Sequence, residues 1–203
     1  MMLTFNDALD ATLTPKLLDM LKERKARVTL FVQGNKIGEN KEILKRAVSE
    51  RHEVGNYGWD LGAESSSPAD EEIVEQVTKT SNAIENATGK KSSVYRPPSS
   101  PAKAFKYESK HAELISTGGP QHAHAHQVIL HSLDADVGGT KVSVDEIKGT
   151  LLGKAKKGDV IMCTLSDASI QATAALIDKM MEEGYEFLTL SEMMSFPDDK
   201  PHR

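Results

Sequence analysis

The feature that most constrains the fold is an alternation of short strand-like runs with longer helix-like segments along the whole chain. Residues 28–32 (VTLFV) and 159–163 (DVIMC) are short and apolar, as is typical of strands buried on both faces. Segments such as 40–51 and 170–183 carry apolar residues at helical spacing instead. Because neighbouring parallel strands must be joined by a crossover, this order predicts an α/β fold with a parallel sheet.

Capping residues mark several of the predicted helix ends. Thr14, which precedes a proline, predicts the start of the first helix, and Ser143 with Glu146 matches a capping box. Gly184 is placed to end the last long helix in the left-handed conformation. Residues 185–188 (YEFL) then predict a further strand.

Composition indicates one globular domain and excludes several classes of function. The chain has 203 residues, 38% of them hydrophobic, which is enough for a single sizeable core. Its 25 Lys and Arg against 30 Asp and Glu give a net charge of −5, which offers no support for a nucleic-acid partner. A lone cysteine, Cys163, excludes an intramolecular disulfide and a cysteine-based zinc site. Its apolar surroundings in sequence predict a buried, inert thiol.

The two ends of the chain give weaker indications. No apolar run reaches the roughly 18 to 20 residues of a membrane span, and no signal peptide precedes the first strand-like residues. A start so close to a structural element favours a trimmed N-terminus. We expect one domain over residues 1–196 and a loose polar tail over 197–203.

Six short segments, in order, resemble the polysaccharide deacetylase family, also called NodB-homology or family-four carbohydrate esterases. Together they run from residue 3 to residue 193, so the resemblance covers nearly the whole domain. The segments are 3–7 (LTFND), 28–34 (VTLFVQG), 52–59 (HEVGNYGW), 95–98 (YRPP), 157–161 (KGDVI) and 184–193 (GYEFLTLSEM). The resemblance implies an irregular (β/α) barrel, an α/β fold whose site lies at the C-terminal strand ends.

The family resemblance also implies a reaction, the metal-dependent removal of acetyl groups from N-acetylglucosamine polymers such as chitin or peptidoglycan. Active members use zinc to polarise the amide carbonyl and to activate water. The family's first motif has two aspartates, a base and a metal ligand, where this chain has Asn6 and Asp7. Its two metal-ligating histidines correspond to Tyr57 and Leu61. An amide cannot take a proton from water, and one carboxylate cannot hold zinc alone, so we expect no cofactor.

The remaining motifs are altered as well. Arg96 stands where the family has an arginine that pairs with the base, and we expect it to pair with Asp7 or Asp134 instead. At the position of the family's general acid, a histidine, this chain has Thr164. No catalytic residue set is therefore intact. The weak candidates for sugar contact are Tyr57, Trp59, Pro97 and Pro98, although Trp59 could equally pack beneath the barrel loops.

One feature outside these motifs, the alternating histidines His122, His124 and His126, could bind a metal ion. On a strand, alternate side chains share one face, so the three imidazoles could converge on zinc, copper or nickel. A solvated, irregular loop is the simpler interpretation, because two glycines and a proline precede the segment.

The leading hypothesis is a polysaccharide deacetylase homologue that has lost hydrolysis and has a binding or structural role, with chitin or another N-acetylglucosamine polymer as the expected partner. Two alternatives remain: an active deacetylase with relocated metal ligands, and a protein-interaction scaffold without glycan affinity. By family resemblance, we expect a secreted, cell-surface or cell-wall location.

Overall fold

Seven parallel strands form one sheet, in agreement with the predicted α/β fold. The computed structural model describes residues 1–60, 70–97, 125–136 and 142–195. The strands are β1 (Met2–Asn6), β2 (Thr29–Val32), β3 (Glu53–Asn56), β4 (Val94–Tyr95), β5 (Gln127–Val128), β6 (Leu133–Asp134) and β7 (Val160–Thr164). Their order across the sheet is β5-β4-β3-β2-β1-β7-β6, and every observed pairing is parallel.

Helices connect and cover the strands. They are α1 (Leu13–Glu23), α2 (Lys41–Ser49), α3 (Asp70–Thr88), α4 (Val144–Lys154), α5 (Asp167–Glu182) and α6 (Leu190–Met194), with one 3₁₀ turn at Gly34–Lys36. No helix within the described ranges is long and apolar enough to span a bilayer.

The sheet must curl because its two edge strands are neighbours in sequence. A flat sheet of seven strands would separate β5 from β6 by about 29 Å. The chain from Val128 to Leu133 can span only about 18 Å when fully extended. The two edges are therefore drawn toward each other, which gives the curled half-barrel of the predicted barrel class.

Side-chain alternation along the strands separates an outer core from the barrel interior. Leu3 and Phe5 of β1 pack outward with the helices, in a cluster that also contains Leu17 and Leu21 of α1. Their neighbours on the strand face inward, where Met2 packs with residues of the other strands. Because this alternation has a period of two, inward-facing polar residues at the C-terminal strand ends share one region.

Two predicted helix ends are confirmed, and two other local predictions are wrong. Ser143 forms its capping box with Glu146, and Gly184 follows α5 with a φ of 83°. Helix α1 begins at Leu13, and its first N–H groups donate to Asp10 rather than to Thr14. Residues 185–188 are not a strand, although Phe187 and Leu188 hydrogen-bond to the backbone of Arg27 and Met1.

Candidate functional site

The candidate site lies at the C-terminal ends of the strands, which we call the upper rim. Asn6 ends β1 and Thr164 ends β7, and these two residues are paired in the sheet register. Tyr57 directly follows β3, and Arg96 directly follows β4. Asp136 lies two residues beyond the end of β6 and accepts a hydrogen bond from the backbone N–H of Thr164. The sheet thus brings together residues that are far apart in sequence, as the family resemblance predicts.

Arg96 is the central side chain of the upper rim and is 1% exposed. Its Nη1 donates to Thr4 Oγ1 at 2.7 Å and to Asn6 Oδ1 at 2.9 Å. Its Nε donates to the carbonyl of Ile129 at 3.3 Å, and its Nη2 donates to that of Leu130 at 3.2 Å. The guanidinium therefore links β1 to the segment that joins β5 and β6.

The expected pairing of Arg96 with Asp7 or Asp134 is wrong, because within the described part of the chain its hydrogen bonds reach neutral oxygens only. The guanidinium also stacks 4.2 Å from the ring centroid of Phe31, an arrangement that a side chain at Gly55 would obstruct. Burial lowers the pKa of Arg96 to about 10, which still leaves it charged at neutral pH. Arg96 is therefore a buried cation at the upper rim that donates to the amide oxygen of Asn6.

Asp7, which the sequence resemblance matches to a metal ligand, is held by other protein groups. Lys36 Nζ lies 2.7 Å and 2.8 Å from the two Asp7 carboxylate oxygens, and Gln33 Nε2 donates to Oδ1 at 2.6 Å. Asp7 has a φ of 52°, a left-handed conformation that aspartate tolerates better than most residues. A lysine ammonium thus supplies the positive charge beside this carboxylate.

Tyr57 faces the barrel interior and is 7% exposed. It packs in an apolar cluster with Phe31, Val94 and Ile129. This burial argues against the predicted stacking of Tyr57 on a sugar ring. Leu61, the other residue that the resemblance matches to a histidine, lies outside the described residues.

Asp136, which the sequence analysis did not single out, lies beside Thr164. It is 7% exposed, and its Oδ1 is buried without a hydrogen-bond partner among the residues that the structure describes. Burial raises the pKa of Asp136. The side chain of Thr164, next to this carboxylate, is a hydroxyl and not an imidazole.

Cys163 lies on the opposite face of β7 from Thr164. It is fully buried as predicted, and burial raises the pKa of its thiol.

The other predicted sugar contacts are largely committed to packing. Gly34 lies against the Trp59 ring so closely that a Cβ there would be 2.3 Å from it, and Lys79 Nζ lies 3.8 Å from the ring centroid. These contacts favour the interpretation of Trp59 as a packing residue beneath the loops. Pro97 is buried, and Pro98 lies outside the described residues.

His126, the described member of the histidine cluster, is buried rather than solvated. It is 2% exposed, and its Nε2 lies 2.8 Å from Ser81 Oγ, which also accepts a hydrogen bond from Asn56. The expectation of a solvated loop is therefore wrong at this residue. His122 and His124 lie outside the described residues.

The described upper rim does not fit a zinc ion. Asp7 is neutralised by Lys36, and Tyr57 is packed among apolar side chains. Within residues 1–60, 70–97, 125–136 and 142–195, no group of three His, Cys, Asp or Glu side chains could hold a metal ion. Sequence reasoning missed Lys36, although it lies two residues beyond the second matching segment, because its partner Asp7 is 29 residues away.

Comparisons with known proteins agree with the fold. The sequence model described as Polysaccharide deacetylase matches residues 1–112. The peptidoglycan-N-acetylglucosamine deacetylase PgdA of Listeria monocytogenes is 26% identical over 191 residues, which cover 94% of this chain but 38% of that protein. This chain therefore spans less than half the length of that relative.

Two solved structures share the architecture. A T48 deacetylase with substrate has a TM-score of 0.80 and 27% identity, covering 96% of this chain and 89% of that chain. BA3943 of Bacillus anthracis, a CE4 family pseudoenzyme, has a TM-score of 0.76 and 23% identity, covering 96% of this chain and 64% of that chain. With the family match over more than half of its length and this shared fold, the chain belongs to the polysaccharide deacetylase family.

Proposed function

We propose that this protein is a member of the family that does not hydrolyse N-acetyl groups and that binds N-acetylglucosamine-containing glycans, of the peptidoglycan or chitin type, at the cell surface. The observation that carries the proposal is the ion pair between Asp7 and Lys36. The carboxylate that would bind a metal ion in the family is instead neutralised by a cation of the chain itself.

The loss of hydrolysis follows from groups that act together in the family's reaction. Asn6 cannot accept a proton from water, and loss of a general base typically lowers the rate by about 10² to 10⁴. Thr164 cannot replace a histidine as the acid, because its hydroxyl does not titrate near neutral pH. Such penalties do not simply add, but none of these roles has an evident substitute among the described residues.

A binding role is supported by the chemistry of the ion pair. Lys36 Nζ has three protons, and the two Asp7 oxygens occupy the directions of two of them. The Lys36 side chain is 38% exposed, so its remaining N–H can reach a ligand. A pair with no net charge suits a neutral acceptor, such as an acetamido carbonyl, better than the cationic amine of a deacetylated sugar.

We expect no acetate release above a blank from N-acetylglucosamine oligomers or peptidoglycan, with zinc or cobalt supplied. An active family member measured beside it provides the positive control for substrate and metal. Metal-dependent turnover by this protein would contradict the proposal and favour relocated ligands.

We expect retention on insoluble peptidoglycan or chitin in the presence of EDTA, because the cation at Asp7 belongs to the chain. Replacing Lys36 by methionine should weaken binding of the oligomers about tenfold or more, since a hydrogen bond from a charged donor is lost. Lys45→Met, which removes an exposed ion pair with Glu42, is the matched control. Absence of retention would favour the protein-interaction scaffold.

A further inference from the structure

A cavity of about 230 Å³ lies at the other end of the barrel from the upper rim. It lies beside the N-terminal end of β3, between the C-terminal ends of α2 and α3 and the loop that leads to β4. We call it the lower cavity. Its walls include His52, three apolar side chains (Val48, Val54 and Ile84), and two lysines (Lys90 and Lys91). None of these residues has a part in the proposed glycan site.

His52 offers a hydrogen-bond donor to the lower cavity. The residue is 6% exposed, and its Nδ1 accepts a hydrogen bond from the backbone N–H of Val28 at 3.3 Å. The ring proton of the neutral imidazole therefore lies on Nε2. Among the described residues, Nε2 has no hydrogen-bond partner. Burial lowers the pKa of His52 to about 4, so the ring is a neutral donor at physiological pH.

The charges around the lower cavity favour an anion. Lys90 and Lys91 are both exposed, and neither forms an ion pair within the described part of the chain. Glu53 also lines the cavity, but its carboxylate accepts hydrogen bonds from Thr29 and Ser191. The two ammonium groups thus outnumber the one carboxylate, which already has its donors.

The apolar walls of the lower cavity indicate that the anion carries a hydrocarbon group. Val48, Val54 and Ile84 present hydrocarbon, which a small inorganic ion would leave uncovered. We propose that the lower cavity binds a small organic carboxylate. Its carboxylate accepts from His52 Nε2 and is attracted by Lys90 and Lys91, while its hydrocarbon part covers the three apolar side chains.

The test is a titration of the full chain with n-butyrate, followed by the NMR signals of the His52 ring. We expect a saturable shift with a millimolar dissociation constant, because the cavity is small and partly open. Replacing both lysines by alanine should weaken the affinity about three- to tenfold, the range for exposed charge pairs. The control Lys148→Ala/Lys154→Ala removes the same charge from exposed positions of α4 and should leave the affinity unchanged.

A neutral probe tests the contribution of the carboxylate charge, and an inorganic probe tests the contribution of the hydrocarbon part. Butyramide, which has nearly the same shape but no charge, should bind more weakly than butyrate, and inorganic phosphate should also bind more weakly. No saturable shift of the His52 signals with butyrate overturns the proposal. Equal binding of butyramide, or an equal loss of affinity in both double variants, also overturns it, because the lysines would then play no specific part.

Discussion

Replacing Arg96 by methionine is expected to lower the free energy of unfolding by about 3 to 4 kcal/mol. The change leaves Asn6 Oδ1 and the carbonyl oxygen of Ile129 buried without their donor, at roughly 1 to 3 kcal/mol each. It also removes the link between β1 and the segment before β6. Methionine fills a similar space over Phe31, so the loss reports mainly on the hydrogen bonds.

Chemical denaturation of the two proteins at pH 7 measures this effect. Arg24→Met is the matched control, because Arg24 forms an exposed pair with Asp178 and should contribute at most about 1 kcal/mol. If Arg96→Met were as stable as the control variant, Arg96 would not be the structural link inferred here. The same two-state analysis must apply to all three proteins for the comparison to hold.

Zinc affinity created by histidines at positions 57 and 61 is expected to be much higher when Lys36 is also removed. The variant Tyr57→His/Leu61→His places two imidazoles at the positions that the sequence resemblance matches to metal-ligating histidines, but Lys36 still holds the carboxylate of Asp7. Adding Lys36→Ala should increase the zinc affinity about 10- to 100-fold. An ammonium beside a divalent ion is repelled even at the high effective dielectric of a partly exposed site.

Competition with a chromophoric chelator measures zinc affinity in both variants. Because both carry the same two new histidines, any cost of burying an imidazole in place of Tyr57 cancels in the comparison. Lys45→Ala added to the two histidines is the control for removing a positive charge elsewhere on the surface. Equal affinity with and without Lys36 would show that its ion pair does not compete with metal.

The fold could be predicted because its signals are local and repeat along the chain. Apolar runs such as 28–32 identify buried strands, and capping residues such as Ser143 are satisfied within one helical turn. The prediction that Thr14 starts α1 was wrong because it also relied on a local signal. Its hydroxyl has a partner nearby, the N–H of Asp10, but it is Asp10 that accepts from the first N–H groups of α1.

The sequence could predict which residues lie at the candidate site, but not which groups they bind. Matching motifs located Asn6, Tyr57, Arg96 and Thr164, and the sheet register brings these strand ends to one rim. Their partners were not predictable, because an arginine has five donors that any nearby oxygen can accept, whatever its charge. The expected carboxylate partner of Arg96 was therefore wrong.

The sequence by itself determined the α/β class, the resemblance to the family and the residues that this resemblance matches to catalytic positions. These depend on periodicity and on the identity of single residues. Only the tertiary structure decided that Lys36 neutralises Asp7, that Asp136 lies beside Thr164, and that His126 is buried. Each of these depends on groups that parallel pairing and sheet curvature bring together, and such long-range contacts leave no signal at any fixed spacing along the chain.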